Sequence, residues 1–196
     1  MDLIIIRHAL PTQGIDPPLS AEGHRQAAVV TQRLAQESSE ANGPIHHIVS
    51  SPLQRARQTA EPLSQLLGLE IEIVDGLAEA DKEGHEYVPV EQMRRERPEE
   101  WKIFIQDPIS FLGSDADRFQ SDVLSGFAQV IERYPGKTVA IFSHVLTINV
   151  FLRDILQSPI SVPFTPDYCS ISRVRASRSG QRSVISVNDT GHFAKS

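Results

Sequence analysis

The chain has a single cysteine, Cys169, in 196 residues, so no intramolecular disulfide can form, and a reducing compartment is the expectation. Cys169 itself reads as a small core residue rather than a catalytic thiol. Positive charge is in deficit: 19 Lys and Arg stand against 25 Asp and Glu, a formal net charge of −6. That balance argues against a nucleic-acid or membrane-surface partner, and it requires any anion site to be a local cationic pocket on an acidic body. No apolar run approaches the roughly 20 residues of a membrane span. The opening Met1-Asp2-Leu3-Ile4-Ile5-Ile6-Arg7 lacks the basic flank and the length of a signal peptide, and the expected location is cytoplasmic. Repeats and low-complexity tracts are also missing.

What is present is an ordinary globular composition, 40% hydrophobic and 22% charged, in a length that suits one domain. Leu3 to Ile6 reads as a buried strand and Pro11 to Pro18 as a loop. A helix is expected from Ser20, as N-cap, to about Gln36, with Ala27, Val30 and Leu34 on one face. Ile45 to Ser50 reads as a second strand. Ser51-Pro52 then opens a helix running to Leu67, with Gly68 as its stop and Pro62 as a kink or break. Glu70 to Val74 is a third strand. Residues 76 to about 118, charged and interrupted by Pro98, Pro108 and Gly113, read as short helices and loops, a candidate cap over a site. A helix over Phe119 to Tyr134, a strand over Thr138 to Phe142, a helix up to Leu156 and a hairpin of Ser170–Ala176 with Ser183–Val187 complete the chain. Strands separated by helices imply an α/β fold, a mostly parallel central sheet with helices on both faces in three layers.

Two strands end alike, Leu3–Ile6 in Arg7-His8 and Thr138–Phe142 in Ser143-His144. Ligands of α/β sheets bind at the carboxyl ends of strands, so both histidines are candidates for one pocket. The helix that begins near Ser51 directs its N-terminus, which favours anions, at the same region, and Arg55 lies in its first turn. Glu79 follows another strand end. An arginine supplies a fixed cation with a fork of donors and a histidine supplies a nitrogen nucleophile, a pairing suited to phosphate.

These segments, Arg7-His8-Ala9, Ser51-Pro52-Leu53-Gln54-Arg55-Ala56-Arg57-Gln58-Thr59, Leu77-Ala78-Glu79 and Ser143-His144, resemble in order the motifs of the histidine phosphatase superfamily, also called phosphoglycerate mutase-like. Leu19 to Gly23 and Asn188 to Phe193 resemble its first helix and its ending. The resemblance implies a metal-independent phosphatase acting on a small phosphomonoester. His8 is then the nucleophile, Arg7, Arg55 and His144 the phosphate ligands, and Glu79 the proton donor and later the base. It implies no cofactor and no metal. A phosphorylated metabolite is the expected partner, with phosphate or sulfate as stand-ins for it in the pocket; oligomeric state is left open. Arg7 and Arg55 are expected to keep His8 neutral, and the substrate's charge to raise the Glu79 pKa.

Thr12, Gln13, His85, Tyr87 and Val145 are candidate substrate contacts. Thr59 reads as helix packing, His192 as a structural hydrogen-bonding group, and His24, His46 and His47 as structural or exposed. The chain departs from the family pattern at Ala9, where glycine is usual, at Pro11 and Gly14, and at Val145-Leu146, where Gly-Gly is usual. Competing functions are a phosphohistidine protein phosphatase, a phosphoglycerate mutase and a phospholigand-binding pseudoenzyme.

Overall fold

A computed structural model describes residues 1–39, 43–84, 86–177 and 179–193. His85, a candidate contact, and Arg178 lie outside the described residues. Six strands, β1 (Asp2–Arg7), β2 (His47–Ser50), β3 (Ile71–Ile73), β4 (Thr138–Ser143), β5 (Ile171–Ala176) and β6 (Arg182–Asp189), form one sheet in the order β3-β2-β4-β1-β5-β6. The first four run parallel; β5 is antiparallel to both β1 and β6.

Alternation along each strand builds two cores. Leu3, Ile5, Val49, Val139 and Ile141 face one side of the sheet; Ile4, Ile6, Ile48, Ala140 and Phe142 face the other. Helices α1 (Ala21–Ser39) and α2 (Gln54–Leu67) cover the second side through Ala27, Val30, Leu34, Ala56, Ala60 and Leu63. Three short helices, α3 (Val90–Glu96), α4 (Pro98–Phe104) and α5 (Pro108–Phe111), intervene before α6 (Ala116–Arg133) and α7 (Val145–Leu156). The last two cover the first side through Phe119, Val123, Phe127, Ile148, Phe151 and Leu152. Every central strand is therefore covered on both faces, which is why their sequences read as continuous apolar runs.

Ser20 caps α1 as expected: its hydroxyl accepts the Gly23 N–H at 3.0 Å and donates to the Leu10 carbonyl at 2.9 Å. Gly68, at φ 66°, closes α2. The structure narrows two readings of α2. The helix starts at Gln54, with Leu53 as a cap that offers no side-chain bond; the Ser51 hydroxyl accepts the Leu53 N–H one step earlier. Of the kink or break expected at Pro62, the break does not occur: the helix continues to Leu67. Proline removes one hydrogen bond, and the buried row Ala56, Thr59, Ala60 and Leu63 holds both sides of it on the sheet.

The register sets up the site. Arg7 pairs with Ser143 across β1 and β4, and Ser50 with Phe142 across β2 and β4. The residues that follow, His8, His144 and Ser51, thus leave three adjacent strands side by side at their carboxyl ends.

Candidate active site

The two histidine rings meet at 5.0 Å between centroids, both from buried residues. The His8 N–H is tied to the Ser143 carbonyl at 2.9 Å. Its ring Nδ1 lies 2.8 Å from the Ala9 carbonyl. A carbonyl only accepts, so Nδ1 carries the hydrogen and Nε2 keeps the lone pair. Burial, then the charges of Arg55 and Arg7, hold the His8 pKa well below the usual imidazole value. The ring is therefore neutral at neutral pH. The arginines were expected to do this; burial is the larger cause.

Arg55 is fully buried on α2, and its Nη2 donates to both oxygens of Asp81 at 2.7 and 2.8 Å. Its Nε and Nη1 are buried without a hydrogen-bond partner among the described residues, as are Arg7 Nε and His144 Nδ1. Arg7 donates from Nη1 to the Pro166 carbonyl at 2.7 Å and lies 3.7 Å over the Tyr168 ring. His144 Nε2 is 2.7 Å from the Ser51 hydroxyl, which also accepts the Leu53 N–H at 3.2 Å. Burial, Arg55, His8 and Arg7, in that order, depress the His144 pKa.

Glu79 is fixed from three sides. Ser143 donates to the Leu77 carbonyl at 2.9 Å and Thr147 to the Ala78 carbonyl at 2.7 Å, so β4 and α7 grip the segment just before it. Its two carboxyl oxygens accept the Ala80 and Leu146 N–H groups at 3.1 and 2.9 Å. Burial first, and Asp81 second, raise its pKa to about 7 against the pull of those hydrogen bonds and of Arg55. No substrate charge is needed for that shift.

Tyr87 and Tyr168 roof the cluster. Their hydroxyls are 2.7 Å apart, and their rings lie 5.9 and 5.7 Å from the His8 ring. Arg55 sits 4.8 Å from the Tyr87 ring centroid. Tyr87 is held by a two-way backbone bridge to Gly14.

The fold thus gathers Arg7, His8, Arg55, Glu79, Tyr87 and His144. Val145 opens α7 directly after His144, where its N–H has no carbonyl within the helix to meet. Thr12 and Gln13 are exposed and turned to other partners: Thr12 to the Pro18 carbonyl at 3.3 Å, Gln13 to Glu86 at 2.8 Å.

A profile of the histidine phosphatase superfamily (branch 1) matches residues 3–190. The chain belongs to that superfamily. It is 32% identical over 182 residues to a bifunctional protein of Mycobacterium tuberculosis, an alignment covering 91% of this chain and 49% of the relative. The chain thus spans about half the length of the first curated relatives it matches. It is 27% identical over 170 residues to phosphoserine phosphatase 1 of Hydrogenobacter thermophilus, covering 81% and 78%. Among solved structures, an Entamoeba histolytica phosphoserine phosphatase superposes with TM-score 0.73 at 21% identity, over 98% and 99% of the two chains. That likeness is one of fold.

Four residues near the histidines escaped sequence reasoning or were read too weakly. Asp81 and Tyr168 carry no motif signal beyond being polar and near a turn. Ser51, read as a helix cap, bonds His144 as well as the Leu53 N–H. Thr59, read as packing, accepts the Ala9 N–H at 2.9 Å and donates to the Arg55 carbonyl at 2.7 Å, tying the loop after His8 to α2. Ala9 is fully buried, and it is not among the positive-φ residues, so alanine fits where the family has glycine. His192 has the structural role expected, its Nε2 3.1 Å from the Cys169 carbonyl. Burial keeps the Cys169 thiol protonated.

Proposed function

We propose that the protein is a phosphatase that hydrolyses a small phosphomonoester through a phosphohistidine on His8. The observation that carries this is the set of buried, unpartnered donors, Arg7 Nε, Arg55 Nε and Nη1, and His144 Nδ1, grouped with a neutral imidazole. Each unsatisfied buried donor costs about 1–3 kcal/mol, and a phosphoryl group accepts from all of them. With Ser51 donating to His144 Nε2, Nδ1 carries the hydrogen that the phosphate accepts.

The His8 Nε2 lone pair attacks phosphorus as the ester P–O bond breaks. Glu79, protonated because of its raised pKa, gives its proton to the leaving oxygen. The resulting carboxylate takes a proton from water, the water oxygen attacks phosphorus, and the P–N bond breaks to release phosphate. Arg7 and Arg55 stabilise the charge on the transferring group.

Residues 76–118 serve in this reading as a cap within a single domain spanning the chain. Tyr87, which reaches over His8 from that segment, supports a small substrate rather than a protein-borne phosphohistidine. The Entamoeba relative was solved with phosphoserine and with 3-phosphoglyceric acid, both small phosphomonoesters.

Purified protein is expected to release phosphate from p-nitrophenyl phosphate and from members of a panel of phosphorylated metabolites, with EDTA having no effect. His8→Ala abolishes release and also the acid-labile, base-stable phosphoenzyme. No release above the His8→Ala background from pH 5 to 8 sinks the proposal. Transfer between 3- and 2-phosphoglycerate faster than hydrolysis would move it to a mutase.

A further inference from the structure

Asp81 belongs to none of the motifs, yet its carboxyl group is 2% exposed and meets Arg55, which is fully buried. Resting on the phosphatase reading above, we propose that Asp81 is a positioning residue for this site, holding Arg55 by a single nitrogen and setting the electrostatic surroundings of Glu79.

The geometry of the pair is the first argument. A purely structural Arg–carboxylate pair gains most from fork-to-fork bonding, in which two guanidinium nitrogens each meet one oxygen. Here both Asp81 oxygens fall on Nη2, at 2.7 and 2.8 Å. Nε and Nη1 are left buried and unpartnered. That arrangement sacrifices stability and leaves two donors of a rigid fork available to an incoming oxyanion.

Connection to the acid is the second. Asp81 lies on the one-turn helix Ala80–Glu83, whose N-cap is Glu79 itself, through the Ala80 N–H to Glu79 bond at 3.1 Å. The carboxyl groups are thus fixed on one short turn. The charges acting on Glu79 are Asp81, which favours the protonated acid, and Arg55, which opposes it. His144, at the start of α7, and His8 are held neutral by burial and the arginines. The Leu146 N–H, also from α7, supports the carboxylate. Asp81 therefore acts twice in one direction. It repels a charge on Glu79 directly, and it offsets the guanidinium that would draw the proton off.

The test uses the whole chain and does not depend on turnover. The Glu79 side-chain carboxyl is titrated by 13C NMR in the wild type, in Asp81→Asn and, as a smaller neutral variant, in Asp81→Ser. A neighbouring charge is worth about one pH unit, so the neutral variants are expected to titrate about one unit below the wild type. Asp81→Glu, which restores the charge, is expected to bring the midpoint back. With an alkyl phosphomonoester the alkaline limb of kcat/KM moves down by the same amount, a loss of about tenfold at pH 8. With the p-nitrophenyl ester, whose leaving group needs little acid assistance, the loss has no such pH dependence and reads the positioning of Arg55 alone. Inorganic phosphate is expected to shift the Arg55 Nε–H resonance of the wild type. An unchanged Glu79 midpoint in both neutral variants, or an Arg55 signal that phosphate moves equally in the wild type and in Asp81→Ser, overturns the role of Asp81 in an enzyme that is otherwise active. A wild type inactive on every phosphomonoester overturns the phosphatase reading instead, whatever the titration shows.

Discussion

At the scale of the residue, the proposed chemistry turns on two groups whose proton affinities burial has shifted. His8 is kept neutral with Nδ1 committed to the Ala9 carbonyl, and Glu79 is kept acidic up to about pH 7. For an alkyl phosphomonoester, kcat/KM is therefore expected to fall about tenfold per pH unit above pH 7, as Glu79 loses the proton it must donate. Glu79→Gln removes that limb and lowers the rate by about 10²–10⁴, the usual contribution of general acid catalysis. A pH–rate profile of both proteins checks this, and a limb that survives in the Gln variant assigns the acid to another group. Arg7, His8, Arg55, Glu79 and His144 were all legible in the sequence because each sits at a strand end or helix start inside a short motif. Asp81, Ser51 and Tyr168 were not. Their importance lies in what they touch across the fold, and no local spacing encodes that.

At the scale of the element, the site depends on how closely helices approach the turn before Glu79. Gly126 of α6 lies against Gly76: a Cβ added at Gly126 would sit 2.9 Å from the Gly76 Cα, and one added at Gly76 would sit 2.4 Å from the Asp122 carbonyl oxygen. Both neighbours are backbone, so neither can rotate aside. Gly126→Ala is expected to cost about 1–3 kcal/mol by overpacking. At about 2–4 °C per kcal/mol for a chain of this size, Tm falls by roughly 2–12 °C. Activity falls with it, because the displaced turn carries Leu77, whose carbonyl Ser143 holds. Thermal melts and assays at 20 °C check the two effects separately. An unchanged Tm means that α6 slides freely over the turn. Helix and strand positions were largely readable from periodicity, since each core face repeats at its proper spacing. The start of α2 was misread, and the break that Pro62 allowed does not occur, because packing against the sheet holds the helix together.

At the scale of the whole molecule, the same buried groups make stability depend on pH. The folded-state pKa values of His8 and His144 are depressed. Their contribution is thus fully present above the unfolded value near 6.5 and is lost as pH falls towards the folded values. Glu79 works the other way: its folded pKa, about 7, exceeds the ordinary 4.5, so its contribution is present below 4.5 and is lost as pH rises through 7. One proton corresponds to about 1.4 kcal/mol per pH unit. Between pH 5 and 6.5, His8→Asn is expected to flatten the rise of stability with pH by up to that slope, and Glu79→Gln to steepen it by up to the same amount. At pH 8 Glu79→Gln should be more stable than the wild type, since no carboxylate charge remains to be buried. Urea midpoints across this range check all three signs.

The sequence alone determined the layered α/β plan and singled out five candidate positions, Arg7, His8, Arg55, Glu79 and His144. Period-two and helical patterns are local, and the motifs sit at element ends, where the backbone dictates direction. The tertiary structure decided what those residues can do. Parallel pairing of β2, β4 and β1 in matched register set Ser51, His144 and His8 side by side. Burial then lowered the proton affinities of the two histidines, and Asp81, Tyr87 and Tyr168 were brought to the site from the turn after Glu79, the segment beyond it and the loop before β5. Burial and through-space charge depend on distances between segments far apart in the chain, which spacing along the chain does not specify.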